Sequence, residues 1–235
     1  MIDSPRHNRR VTGHCRRGLA VVGVVTALLT LSPTLAPIAS AESMSAKLPA
    51  AVAIPRFDPV AMAAYQALNQ LRQDSFRFNR GQEPSATFVR LRRQVAELIA
   101  DRLVLNADEL EAAWADSDIN HQTALIAALT QVGVPYKRFA MKPGVGFDCS
   151  GLTSFAWSQA GFNIPRNSTR QIRAADPRTF DTAQAGDLLR YPGHVMMWLG
   201  VGQAVIHSPR PRQFVEVKIL NTRSMKRSTF GDPTE

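Results

Sequence analysis

The chain has 235 residues, 45% of them apolar and 20% charged, and carries a formal charge of +9. That length supports one cored domain with some accessory structure and excludes two large domains. The basic surplus contains no Lys/Arg block interleaved with aromatics, which argues against a nucleic-acid-binding protein.

The first element is a leader. Five arginines (Arg6, Arg9, Arg10, Arg16, Arg17) precede an apolar run of about 14 residues from Gly18 to Leu31, and Ala39-Ser40-Ala41 follows. This is the order of a secretory signal, and the run falls short of the roughly 20 residues a bilayer span needs, so no permanent membrane insertion is expected. The arginine pairs leave the export route open. Cleavage after Ala41 would remove five of the 28 basic residues and one of the 19 acidic ones, lowering the formal charge from +9 to +5. It would also remove Cys15 and leave Cys149 as the single cysteine. An unpaired thiol in an exported chain is buried, pairs between chains, or reacts.

Residues 42–57, with Pro49 and Pro55 among small residues, read as a spacer. Asp58-Pro59 is a good helix start, and Val60, Ala64, Leu68 and Leu71 predict a helix from 59 to about 75. Ser85 can cap a second helix with Phe88, Leu91, Val95 and Ile99 on one face, and Asn106 with Glu109 a third, ending near Trp114. These three form an accessory region over 58–116, whose Leu/Ala stripes read first as core. The rest, 117–235, is expected to be the catalytic domain. A fourth helix is expected from Asp118 to Val132 and a fifth from Cys149 to Ala160. After Gly161 the period changes. Short runs at 188–191, 194–199, 203–208 and 213–220, bounded by Gly and Pro, predict an antiparallel sheet, with the 194–199 strand central because it is apolar on both faces apart from His194. Helices followed by strands argue for an α+β fold.

Thiol nucleophiles act as thiolates, so something must lower the pKa of Cys149 from its ordinary value of about 8.5. Asp148 can cap the fifth helix and place Cys149 near the positive end of its dipole, but its own charge opposes ionisation, so a histidine has to matter more. Only His121, His194 and His207 remain once the leader is gone. His194 opens the central strand and suits a base; His207, in the neighbouring strand, suits a partner that fixes its tautomer. His121 falls in the first turn of the fourth helix and is read as a surface or capping residue. Against catalysis stands the fact that a lone cysteine at a helix start is often a small buried apolar group.

Several ordered strings bear on that choice: Gly133-Val134-Pro135-Tyr136, Phe147-Asp148-Cys149-Ser150-Gly151-Leu152, Ile164-Pro165-Arg166-Asn167-Ser168, Ala185-Gly186-Asp187-Leu188, and Ile206-His207-Ser208-Pro209. Together they resemble the NlpC/P60 family of cell-wall cysteine peptidases over about residues 118–220. The resemblance implies a papain-like domain that is exported or wall-associated, takes peptidoglycan as its partner, and hydrolyses stem-peptide amides such as the D-Glu to diamino acid bond. It implies Cys149 as nucleophile, His194 as base and His207 as its orienting partner, with Tyr136, Asp148 and Ser150 against the substrate and with no metal or cofactor. A catalytically silent or restrained wall-binding module is the alternative, and related papain-like domains act as amidases or acyl transferases. No protein partner is indicated.

Overall fold

The computed structural model describes residues 58–78 and 80–234; the expected leader (1–41) and spacer (42–57) lie outside the described residues. Four helices open the described part: α1 (Pro59–Phe78), α2 (Ala86–Leu103), α3 (Ala107–Asp116) and α4 (Ile119–Leu129). Each starts where a side chain can accept from amides that have no intrahelical partner. Asp58 accepts from Val60, Ser85 from Phe88, Asn106 from Asp108 and Glu109, and Asp118 from Asn120 and His121. α2 ends on Val104 in the left-handed region at φ 57°. The fourth helix was expected to reach Val132 and stops at Leu129, because the chain there turns toward the sheet: Gly133 N–H donates to the Val215 carbonyl and Val215 N–H to that of Val134.

The apolar faces of α1, α2 and α4 meet in one cluster that runs on into Leu152 and Phe155 of α5 (Cys149–Gln159) and into Val195 and Met197 of the sheet. The first three helices therefore share their core with the rest of the described chain. Buried polar groups strengthen the join. The Trp114 indole donates to the Leu199 carbonyl at 2.8 Å, and Arg92 reaches both Glu111 and Gln122 at 2.7 Å. Among the described residues no helix is long and apolar enough to cross a membrane.

The architecture is α+β. Six antiparallel strands run in the order β3-β8-β4-β5-β6-β7, where β3 is Asp176–Arg178, β4 Leu188–Tyr191, β5 His194–Trp198, β6 Ala204–His207, β7 Glu216–Ile219 and β8 Thr229–Asp232. A small hairpin, β1 (Met141–Lys142) with β2 (Gly146–Phe147), precedes α5. β5 is interior and buried along its whole length. Val195 and Met197 face α5, while Met196 and Trp198 face a second cluster with Leu189, Val205 and Phe230. Two short helices, α6 (Ser168–Ala174) and α7 (Thr222–Lys226), together with β3 and β8, were not anticipated. They are too short to show a period, and Pro177 and Gly231 disguise the two strands.

His121 is not at the surface. It is fully buried, with Asp187 2.9 Å and Asp232 3.4 Å from Nε2, Asp118 against Nδ1, and the Trp157 ring edge-on at 4.9 Å. Burial alone would discharge it. The carboxylates outweigh that cost, Asp118 and then Asp187, and raise its pKa to about 9. Gly186 makes the arrangement possible: it has φ 104°, and a Cβ there would lie 2.9 Å from the His121 carbonyl oxygen. The Ala185-Gly186-Asp187 string thus locks α4 to the start of β4.

Candidate active site

α5 begins with Asp148 as its cap, the carboxylate accepting from Gly151 N–H at 2.7 Å, so Cys149 takes the first helical position. A Cβ on Gly151 would come within 2.1 Å of the Ala140 carbonyl oxygen, and only glycine lets the 137–147 loop close on the helix start. Burial pushes the Cys149 thiol above its usual range, and the Asp148 charge adds to this; the amides of Val195, Ser150 and Cys149 itself pull the other way without cancelling it. Burial and the Asp148 charge thus oppose ionisation of the thiol, against the expected acidification.

The amide that faces the sulfur belongs to Val195, the residue after His194, so the thiol lies at the start of β5. His207, thirteen residues on, is brought to His194 by the β5–β6 register. Met197 opposes Ile206, which puts His207 on the same face as His194, and His194 Nε2 lies 2.9 Å from His207 Nδ1. Both rings are buried. Burial, with His207 beside it, lowers His194 to about 3; burial, with the Lys218 charge, lowers His207 to about 4. Burial thus keeps both imidazoles neutral, and a neutral imidazole can accept a proton.

Two cavities flank this line. One, of about 440 Å³, is bordered by Asp148, Ser150, Arg166, Arg170 and the exposed Phe139. Arg166 was not singled out from sequence, yet it bridges Asp148 and the Ser150 hydroxyl at 2.8 Å and donates to the Ala140 carbonyl at 2.9 Å, holding both of those residues at the cavity wall. Tyr136 borders the sulfur: burial raises its hydroxyl pKa, and the charges of Cys149 and Asp148 add to the rise. The second cavity, of about 330 Å³, lies against His194 and His207 and is edged by Tyr191, Arg210, Lys218 and Asn221. No residue of α1, α2 or α3 lines either one.

Glu216 was not singled out from sequence either. It lies opposite His207 in the β6–β7 register, with Oε1 3.2 Å from His207 Nε2. Among the described residues, His121, Asp187 and Asp232 place possible metal ligands within 4.8 Å of one another. Each is already engaged, His121 with Asp187, Asp187 with the Gln184 amide and Asp232 with Arg178 and Thr234, so the cluster works as an ion-pair network.

Residues 133–233 match the model of the NlpC/P60 family. A probable endopeptidase of Corynebacterium glutamicum is 42% identical over 108 residues, 45% of this chain and 50% of the relative. A gamma-D-glutamyl-L-lysine dipeptidyl-peptidase of Bacillus cereus is 38% identical over 99 residues, 39% of this chain and 29% of the relative. The matched stretch thus spans half or less of these relatives' own lengths. The crystal structure of an NlpC/P60 family protein from Bacillus cereus aligns with a TM-score of 0.44 at 30% identity, over 48% of this chain and 39% of that one.

Proposed function

Residues 133–233 are an NlpC/P60 family domain, and we propose from that premise that the chain is a cysteine endopeptidase acting on stem-peptide amides of peptidoglycan outside the cell membrane. The D-Glu to diamino acid bond is the proposed target. Relatives named as an endopeptidase and as a gamma-D-glutamyl-L-lysine dipeptidyl-peptidase support it. So does the leader expected over residues 1–41.

One observation carries the reading: His194, buried and bonded to His207, opens a strand whose next amide faces the lone described cysteine. In the proposed reaction Cys149 Sγ attacks the amide carbonyl carbon while His194 takes the thiol proton. The nitrogen that acts is Nδ1, since Nε2 is bonded to His207. The backbone N–H of Cys149 at the open helix start helps hold the oxyanion. Collapse of the tetrahedral intermediate breaks the C–N bond, His194 delivers its proton to the leaving amine, and an acyl thioester remains. Water then attacks the thioester with His194 again as base, releasing the acid and restoring the thiol. In this reading Asp148 and Ser150, both fixed by Arg166, border the acyl side, and Tyr136 stands beside the sulfur. In this reading 117–235 is the catalytic domain, and the helices of 58–116 brace it through the common core without roofing the cavities.

Incubating the purified chain with peptidoglycan fragments and analysing the products by mass spectrometry tests the proposal. Amide cleavage by the parent, falling by about 10⁴-fold or more in Cys149→Ala, is expected. Equal cleavage by the variant would refute it. A silent wall-binding module is favoured by one observation, the burial that keeps the Cys149 thiol protonated. Retention on wall sacculi with no turnover would select that reading.

A further inference from the structure

The pair of histidines cannot choose its own tautomer. A neutral imidazole carries one ring proton, so the bond between His194 Nε2 and His207 Nδ1 can be made two ways. If His194 donates, its Nδ1 is bare and can act as a base. If His207 donates, the proton of His194 sits on Nδ1, and the base is blocked. Both arrangements satisfy the imidazole–imidazole bond equally well.

The tie is broken on the far side of His207. Glu216 stands directly across the β6–β7 ladder, and its Oε1 lies 3.2 Å from His207 Nε2. A carboxylate offers only lone pairs, so the nitrogen facing it must carry the proton. With its single proton on Nε2, His207 presents a lone pair at Nδ1, accepts from His194 Nε2–H, and leaves His194 Nδ1 open. We infer that Glu216 is a positioning residue that sets the tautomers of His207 and His194 in series, so that the nitrogen of His194 left free is an acceptor; this rests on the reading of His194 as base for Cys149. Among the described residues no carboxylate lines the cavity beside the two rings. Lys218 and Arg210 at its edge are donors, and the Lys218 charge opposes a second proton on His207 without favouring either tautomer. The Tyr191 ring lies tilted at 55° to His194, 5.6 Å between ring centroids. Glu216 is 45% exposed, so water can partly replace it as an acceptor.

The test uses the whole chain, with Glu216→Leu and the near-isosteric Glu216→Gln, whose amide can donate to a bare Nε2 as readily as accept from a protonated one. Nitrogen-15 NMR of the imidazoles at neutral pH reports which ring nitrogen bears hydrogen, and steady-state kinetics on a defined stem peptide separate kcat from KM. In the parent, both rings are expected to be protonated at Nε2 and bare at Nδ1. In either variant His207 becomes a mixture of tautomers, and kcat falls by about tenfold in Glu216→Leu, short of the ~10²–10⁴ a general base supplies, with KM unchanged. A parent His207 protonated at Nδ1 would overturn the inference, as would variants that keep both the parent tautomer and the parent kcat. If the parent cleaves no peptide, the proposed reaction fails, while the ring nitrogens still decide whether Glu216 sets the tautomer.

Discussion

Two buried histidine sites in this molecule differ in charge. His121 is enclosed by Asp118, Asp187 and Asp232 and holds its proton to about pH 9; His194 and His207 lie against each other, with Glu216 and Lys218 beside His207, and lose theirs above about 3 and 4. Burial is common to both and disfavours the cation in both. The partners decide the outcome. Three carboxylates turn a buried imidazole into a structural cation that ties α4 to the sheet, while burial, with the His207 ring beside His194 and the Lys218 charge beside His207, keeps the other two neutral.

The comparison breaks most visibly if the neutral site is emptied. His194→Ala is expected to lower kcat on a stem peptide by about 10²–10⁴-fold with little change in unfolding free energy, measured by kinetics and by urea titration. Emptying the cationic site should do the reverse. His121→Ala leaves Asp187 buried without its cation and Asp232 with Arg178 alone, which costs about 3–5 kcal/mol of stability, while activity per folded molecule is retained.

The pH dependence of stability sharpens the contrast, because the two sites fail on opposite sides of neutrality. His121 has a folded-state pKa raised from 6.5 to about 9, so its contribution is complete below about 6.5 and is lost as pH rises through about 9. That contribution is on the order of 3 kcal/mol. His194 and His207 are depressed from 6.5 to about 3 and 4, so theirs is complete above about 6.5 and is lost as pH falls toward those values. Asp118 and Asp232, held below the ordinary carboxylate range chiefly by bonds to His121 and Arg178 against the opposing effect of burial, add to the acid loss. Thermal melts should peak near neutral pH, with the alkaline decline flattened in His121→Ala and the acid decline flattened in His207→Ala. A control lies away from both sites. Val104 is 91% exposed and left-handed, so Val104→Gly should relieve backbone strain and raise stability by about 0.5–1 kcal/mol equally at every pH.

What could be read from sequence follows from how local each signal is. The Asp148 cap, the cysteine at the first turn of α5 and the apolar strand after His194 are written in consecutive residues, and the structure bears them out. The rise in the thiol's pKa was not legible, since it comes from burial beside β5 that only the folded chain supplies. Glu216 and Arg166 were hidden for another reason. Alternation of Val215 and Val217 puts Glu216 on the face opposite the core, but only the register of β6 against β7 places it across from His207. Arg166 reaches Asp148 from a loop whose path no periodicity describes. His121 misled because a first-turn histidine near an acidic cap usually faces water; its burial depends on carboxylates 66 or more residues away.

In the proposed reaction the sulfur and its base are both neutral until a substrate arrives. Following alkylation of Cys149 by iodoacetamide from about pH 5 to about pH 10, with the site identified by peptide mass, tests it directly. A rate that climbs through the alkaline range and titrates above ordinary cysteine, with no plateau on the acid side, is the predicted result. A rate already at its plateau near pH 5 would reveal a preformed thiolate–imidazolium pair and contradict the account.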